Sequence, residues 1–483
     1  MARRTAAVSW LLLSFGTALA IIAGVLLTLH LRFPELRWDW SSIDTGDVEF
    51  PANFVWGTAT AAHQVEGDMP ANNWTWWEDQ TDKHGRPRIH GGARSGKAVE
   101  HFSRYAEDIQ RMRDELGVDS YRFSVAWSRI EPEEGRFDQH ALDHYSQVID
   151  TLLEAGITPM VTLHHFTHPL WFEQKGSFEH QENLKHFVRF SKEVFSQYSD
   201  RVPRWCTHNE PGPFAVMGWG LGAFPPGVRS PSRMVPVLAN LMRSHDQVTR
   251  SLKAMPNGNS VEIGLVKNIF QFDPWRRWNP LHWGLARVLE EVYNDSILGY
   301  LKTGEFRVRV PGLRYAETIS SGPAPGDFVG LNYYSHLMVT PFTSTEPPFE
   351  TFARPGDIKV DMPYCIYPEG FYRALKQIGE VGKPIYITEN GLPDDRDDRR
   401  AHWIQTYAYA MSRAMAEGVD VRGYHYWSLL DNFEWAEGWD PRFGLFGVDY
   451  ETQERSLRKG ARAFVDLVSK TRDKRYETQT TLT

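Results

Sequence analysis

Two glutamates stand where short apolar runs end, each with an asparagine beside it. Glu210 follows Arg204–Thr207 within Thr207-His208-Asn209-Glu210-Pro211, and Glu389 follows Pro384–Thr388 within Ile387-Thr388-Glu389-Asn390-Gly391. A lone glutamate in such a place is usually a salt-bridge or capping residue. Two of them, each next to an amide, suit a reaction that needs one carboxyl protonated and the other ionised. Cleavage of a glycosidic bond is such a reaction: one group donates to the leaving oxygen and the other attacks the anomeric carbon. The surroundings must then push the two pKa values apart. Glu389 is expected beside Arg122 and Tyr334, which would keep it anionic.

Other polar residues hold equivalent places. Gln64 follows the run Phe54–Ala59, His165 follows Thr158–Leu163, Asn332 and Tyr334 follow Phe328–Leu331, and Trp427 follows Gly423–Tyr426. With Ser120–Val125 and Val261–Val266 these runs make eight candidate strands. Amphipathic stretches alternate with them, among them Ala98–Leu116, Ala141–Ala155, Asn183–Ser199 and Ala401–Glu417; the first two end at Gly117 and Gly156, as helix C-caps do. Such alternation is the pattern of βα units, and eight of them predict an α/β protein with a single (β/α)8 barrel. A barrel of this kind gathers strand-end side chains at its C-terminal mouth. The stretches Asn268–His282 and Pro341–Pro363 read as loops over one face.

Composition bounds the reading. With 483 residues, 41% of them hydrophobic, the chain can bury a large core, and no Pro/Ser/Gly linker divides it. A formal charge of −8 leaves no basic footprint, which excludes nucleic acid as the main partner. Cys206 and Cys365 cannot form a disulfide framework and read as ordinary barrel thiols. Tryptophans gather in polar turns such as Asn73-Trp74-Thr75-Trp76-Trp77 and Trp435-Ala436-Glu437-Gly438-Trp439, where they could stack on sugar C–H faces. His164, His165 and His168 have the spacing of metal ligands, but Pro169 and the strand-like Val161-Thr162-Leu163 argue for a sugar contact from His165 and loop packing by the others. The sequons at Asn73 and Asn294 are assigned no function.

At the N-terminus Arg3 and Arg4 precede an uncharged run from Ser9 to Leu29, long enough to span a bilayer at about 1.5 Å per residue. The run continues past the cleavage-like Ala18-Leu19-Ala20, which favours a retained transmembrane anchor over a cleaved signal peptide. The flanking arginines favour a cytoplasmic N-terminus and a catalytic domain on the outer side. The expected division is an anchor over residues 1–30, a polar tether over 31–48, the barrel over 49–470 and a polar tail over 471–483. A chain starting near Asp47 is expected to fold and keep its chemistry. A substrate with a hydrophobic aglycone is one expectation, because an anchor gains most against membrane-resident molecules; the alternative is that the anchor merely retains the protein at the envelope.

The two glutamate motifs resemble the catalytic signatures of glycoside hydrolase family 1, the β-glucosidases and relatives. The resemblance extends in order through Phe54-Val55-Trp56-Gly57-Thr58-Ala59, Gln64-Val65-Glu66-Gly67, Tyr121-Arg122-Phe123-Ser124 and Trp127-Ser128-Arg129. It continues through Asp327–Tyr334 and Trp427–Trp435 and covers about residues 50 to 470. It implies a retaining β-glycosidase that forms a covalent glycosyl-enzyme and needs no cofactor, with Glu210 as acid/base and Glu389 as nucleophile. It further implies that Gln64, His165, Asn209, Glu434 and Trp435 grip sugar hydroxyls, and that Asn332 also lines the substrate site. Trp427 would form the floor and Phe443 the wall, while Arg122 and Tyr334 orient Glu389. Three positions depart from the family pattern: Phe166, Thr167 and Phe178 replace Trp, Asp and Trp, which is expected to alter recognition of the sugar 3-hydroxyl. The rivals are a membrane-anchored transglycosylase acting on glycolipids, which shares the first chemical step, and a catalytically dead glycan- or protein-binding relative, which the presence of both glutamates disfavours.

Overall fold

The computed structural model describes residues 2–341 and 353–480. Eight parallel strands close into a barrel: β1 (Val55–Ala59), β2 (Ser120–Ser124), β3 (Thr158–His164), β4 (Arg204–Asn209), β5 (Glu262–Asn268), β6 (Phe328–Asn332), β7 (Ile385–Asn390) and β8 (Val421–Trp427). Each strand pairs with its neighbours in chain order, and β8 closes on β1 with Val55 opposite Gly423 and Ala59 opposite Trp427.

All eight lie within two residues of the expected runs, but β3 to β8 each continue further. Asn209, Asn332, Glu389, Asn390 and Trp427 are therefore terminal residues of strands rather than the first residues beyond them. Backbone pairing is indifferent to side-chain polarity, so a ladder can outrun the apolar pattern that announces it. The helices agree more closely: Gln139–Glu154, Leu184–Tyr198 and Arg400–Ala416 sit where amphipathic stretches are expected. The stretch from Ala98 is shorter, because Ala98 and Glu100 hold left-handed backbone at φ 47° and 53°. Its helix runs His101–Arg111, continues as one π turn over Met112–Leu116 and stops at Gly117, whose φ of 66° suits glycine. The expected loop Asn268–His282 contains a strand, Gln271–Pro274, paired in parallel with His336–Val339, and a helix begins at Pro280. The expected loop Pro341–Pro363 lies partly outside the described residues.

Inside the barrel, Met160, Cys206, Val266, Phe328 and Tyr386 from five successive strands form a buried plug. Cys206 and Asn209 are three residues apart, and an ideal strand would point them to opposite faces. Both nevertheless turn inward, because Cys206 and Asn209 face Gly264 and Val266, three steps on β4 against two on β5. The same irregularity lies between Ile387 and Glu389 on β7, opposite Leu331 and Asn332. Such bulges re-aim side chains, and here they stand directly before the two glutamates.

The termini depart from expectation. Helix α1 (Ala2–Arg32) includes one 23-residue segment, Trp10–Arg32, long and apolar enough to cross a membrane by length and composition. Its apolar side chains are exposed apart from Leu26, Trp10 at 72% and Phe15 at 65%. The stretch expected as a tether is instead a strap bound along the barrel wall. Glu35 pairs with Arg354 at 2.9 Å and Arg37 with Asp357 at 2.6 Å. Trp38 N and Trp40 Nε1 both donate to Oε1 of the buried Glu369, at 2.8 and 3.0 Å. The rings of Trp38 and Trp40 pack edge-on against Tyr409, and Lys470 Nζ donates to Gly46 O. The aromatic residues within a polar stretch supply the adhesion. The expected C-terminal tail is, up to residue 480, the end of a helix, Arg462–Thr480. Thr471 accepts from Trp56 Nε1 at 2.9 Å and Arg475 pairs with Asp119 at 2.6 Å, so this helix locks onto β1 and the entry to β2.

Candidate active site

Arg122, fully buried on β2, organises the floor of the mouth. Its Nη1 donates to Glu389 Oε1 at 2.6 Å, its Nη2 to Asn209 Oδ1 at 2.8 Å and its Nε to Thr162 Oγ1 at 3.1 Å. Tyr334 OH donates to the other oxygen of Glu389, Oε2, at 2.7 Å. Both carboxylate oxygens of Glu389 are thus held by donors, one of them a permanent cation.

Glu210 follows β4 with left-handed backbone, φ 47° and ψ 68°, which turns the chain into the short helix Pro211–Ala215. Its Oε1 accepts from Asn332 Nδ2 at 2.7 Å and from Asn268 Nδ2 at 3.1 Å. Burial, and then the charge of Glu389, push Glu210 up to about 8, against the pull of those two amides. Burial raises Glu389 as well, but Arg122 and then Tyr334 oppose it. Arg122 is itself held above its ordinary range by Glu389. With a guanidinium at 2.6 Å, Glu389 is the member of the pair that is held ionised, so a proton shared between the two glutamates rests on Glu210.

The amides above the glutamates are oriented by this network. Asn209 Oδ1 accepts from Arg122 and from Asn332 Nδ2 (3.0 Å), so its Nδ2 points at His165 Nε2, 3.0 Å away. Burial, with Arg122 nearby, holds His165 well below its ordinary pKa, and the ring is neutral. Since Nε2 accepts, Nδ1 carries the hydrogen, and this buried donor has no partner among the described residues. Gln64 Nε2 donates to Asn432 Oδ1, Phe433 O and Glu434 Oε2 at 2.9 to 3.0 Å, while its buried Oε1 also lacks a partner. An orphan donor and an orphan acceptor in one mouth are suited to hydroxyl groups.

Aromatic rings close the space. Trp427 lies 5.7 Å from the His165 ring at 28°, and Trp435 lies 5.9 Å from the same ring at 23°. Phe443 packs edge-on to Tyr334 at 6.0 Å. Burial, and then the Glu389 charge, push Glu434 up to about 8 against the amide of Gln64.

The structure therefore brings together Gln64, Arg122, His165, Asn209, Glu210, Asn332, Tyr334, Glu389, Trp427, Glu434, Trp435 and Phe443. It does not bring Phe178 to the mouth: that ring is fully buried behind His164, His208 and Phe214, so its expected effect on sugar recognition is withdrawn. Phe166 does reach the site, 5.2 Å from Trp435. His164 and His168 are buried packing residues, and His168 pairs with Glu173 at 2.6 Å. Asn73 and Asn294 are fully buried and donate to Phe166 O and Phe270 O, which closes both sequons to modification in the folded chain. Cys206 and Cys365 are free and buried. Sequence reasoning missed Asn268, a donor to Glu210 braced by Tyr293 OH at 2.6 Å. It ends β5 as Asn209 ends β4, and that parallel was the signal available.

The family model for glycosyl hydrolase family 1 matches residues 47–473. Beta-glucosidase A of Thermotoga maritima is 35% identical over 435 residues, covering 85% of this chain and 95% of the relative. Among solved structures, a β-glycosidase from Pyrococcus horikoshii superposes with a TM-score of 0.76 at 37% identity, over 88% of this chain and 96% of the other. The Thermotoga maritima β-glucosidase in complex with castanospermine does so with a TM-score of 0.78 at 32% identity, over 88% and 99%.

Proposed function

That the chain belongs to glycosyl hydrolase family 1, and is a retaining glycoside hydrolase of the β-glucosidase type, is the premise from which we propose a role for each residue of the mouth. Glu389, ionised beside Arg122, attacks the anomeric carbon. Glu210 gives its proton to the departing glycosidic oxygen, which leaves with the bonding electron pair. In the second step Glu210, now ionised, takes a proton from water. That water displaces Glu389 from the same face the aglycone left, so the β configuration returns and both carboxyls are restored. The observation that carries this assignment is the asymmetry of donors: a guanidinium and a phenol hold Glu389, whereas amides hold Glu210.

His165 Nδ1 and Gln64 Oε1 are read as the donor and acceptor for neighbouring sugar hydroxyls. The remaining N–H of Asn209 serves the 2-hydroxyl, and Glu434 serves hydroxyls farther from the bond. Trp427 is the stacking floor, with Trp435 and Phe443 as walls. A 2-deoxy-2-fluoro β-glucoside, which slows the second step, should leave a stable label. Digestion and mass spectrometry should place it on the peptide containing Glu389, and a label on any other carboxylate overturns the assignment.

The second part of the proposal is that α1 anchors the barrel in a membrane, with the N-terminus cytoplasmic and the barrel outside. Its support is the exposed apolar surface of Trp10–Arg32 and the arginines that precede it. The end of α1 meets the segment after β5, where Arg277 donates to Phe33 O and His30 stacks on Trp278 at 4.1 Å. That segment follows the C-terminal end of β5, the end at which the mouth lies, and an anchor attached there would favour substrates with a lipophilic aglycone. Rates on alkyl β-glucosides that do not rise with chain length would count against the aglycone reading.

A further inference from the structure

Where α1 meets the barrel, an open cavity of about 590 Å³ is lined by His30, Pro34, Glu35, Arg37, Arg277 and Arg354. Two of its guanidiniums are satisfied. Arg354 donates to both oxygens of Glu35, at 3.1 and 2.9 Å, and Arg37 bridges Glu35 and Asp357. Arg277 is different. Its Nη2 donates to Phe33 O at 2.6 Å and its guanidinium lies 4.8 Å from the Trp283 ring centre, but its buried Nη1 finds no acceptor among the described residues. The nearby Asp273 is committed to Arg373 and His336. Among the described residues three guanidiniums thus face two carboxylates, and the unmatched one is half-buried. A guanidinium does not deprotonate at working pH, so what Nη1 lacks is an anionic acceptor. Burial holds Arg277 below its ordinary pKa, and Arg373 and Arg354 add to the effect against Asp273 and Glu35.

We propose that this cavity binds the phosphate of an anionic phospholipid, with Arg277 Nη1 as its central donor. Free phosphate offers the same chemistry; the surroundings favour the lipid. The cavity begins at His30, within one turn of the end of the apolar helix. On the same segment as Arg277, Trp278 is 66% exposed and Leu281 59% exposed, and His30 stacks on Trp278. Amphipathic aromatics and arginines side by side are the surface that settles at a headgroup layer. The inference rests on the anchor reading of α1 and adds to it a specific lipid contact at the anchor's base.

The test uses the full chain in detergent, titrated with phosphatidylglycerol or phosphatidylcholine, with retained lipid counted by native mass spectrometry. One phosphatidylglycerol should be held about tenfold more tightly than phosphatidylcholine, whose phosphate is the same acceptor but carries a choline cation that the neighbouring guanidiniums repel. Arg277→Gln should abolish that preference, and Arg277→Lys should keep part of it, with turnover of an aryl β-glucoside unchanged in both. If the Gln variant unfolds, the Lys variant and the lipid comparison carry the test. An unchanged preference in the Gln variant overturns the proposal. In a second arm, inorganic phosphate is titrated in phospholipid-free detergent and read by tryptophan fluorescence. Saturation there without any preference for phosphatidylglycerol overturns the lipid assignment in favour of free phosphate. In a third, the full chain is floated with vesicles of the same lipids. Failure to float, with Arg277-dependent phosphate binding intact, overturns the anchor reading and removes the lipid while leaving an anion site.

Discussion

Asn332 Nδ2 stands 2.7 Å from Glu210 Oε1, the same oxygen that receives Asn268. Because both amides donate to Oε1, the proton of the neutral acid belongs on Oε2, the oxygen those amides leave free. The two asparagines therefore decide which oxygen of Glu210 delivers the proton, besides moderating its pKa.

This arrangement sets the alkaline limb of the pH profile. Glu210 must be protonated to act, and burial with the Glu389 charge pushes it up to about 8, so kcat/KM should fall as pH rises through that region. The amide of Asn268 favours the ionised form, hence Asn268→Ala should move the limb to higher pH. A limb that stays in place in this variant assigns it to another group, Glu434 above all, which Asn268 does not touch.

Removal of the acid should be felt according to the leaving group. Glu210→Ala should lose roughly 10²–10⁴-fold in kcat/KM on alkyl or disaccharide substrates and far less on activated phenyl glycosides. Azide should restore turnover and yield the β-glycosyl azide. An α-azide, or equal losses for good and poor leaving groups, contradicts the role.

Tyr334→Phe removes one of the donors that favour ionised Glu389. The acid limb of kcat/KM should therefore shift upward, with a loss on the order of tenfold at its plateau. Arg122 still holds Oε1, so the variant should fold. An acid limb unmoved in stopped-flow or steady-state profiles would show that Tyr334 does not tune the nucleophile.

Glu434 offers a stability test with a definite sign. Its folded pKa lies near 8, above the ordinary 4.5, so the folded state binds its proton more tightly than the unfolded chain does. The associated stability is complete below about 4.5 and is lost as pH rises through 8. Glu434→Gln does not titrate. Its Tm advantage over the parent should open across that window, and thermal unfolding at pH 5 and pH 8.5 measures it.

The strap makes the position of a truncation matter. A chain beginning at Phe33 keeps both tryptophan donors to Glu369; one beginning at Asp47 leaves that buried carboxylate without them. The shorter chain should be less stable by about 2–4 kcal/mol, and Glu369→Gln should recover part of the loss. Equal denaturant midpoints for the two chains would show that the strap adds nothing.

The barrel and nearly all of its mouth were legible because polar residues recur where apolar runs stop, and a barrel gathers those stops at one end. Legibility failed where a residue type misled. Lys267 interrupts the pattern of β5 and hides Asn268 beyond it, yet its ammonium is buried, donating to Asn294 Oδ1 at 3.0 Å over the Tyr293 ring. Residues 31–48 look like a tether because their composition is polar; two tryptophans and a handful of charges matched to the barrel wall make them a strap. No spacing rule could show that Phe178 turns inward behind His164. Its direction depends on aromatic neighbours from three other segments.

The bulge in β4 has a consequence for mutations that change chain length. Thr207 and His208 both reach outward, to His245 and Ser244 on the helix Pro231–Lys253, so the strand carries one residue more than its pairing with β5 requires. Loss of a codon at His208 would bring β4 into step with β5 but out of step with β3, where Thr162 and His164 face Cys206 and His208 two for two, and it would remove one hook to that helix. Gain of a codon in the regular stretch between Ser120 and Arg122 would turn Arg122 out among the helices and strand Glu389 without its cation. The gene should therefore tolerate neither change, because the bulge that is spare along one edge of β4 is in register along the other, a constraint invisible to any scan of single substitutions.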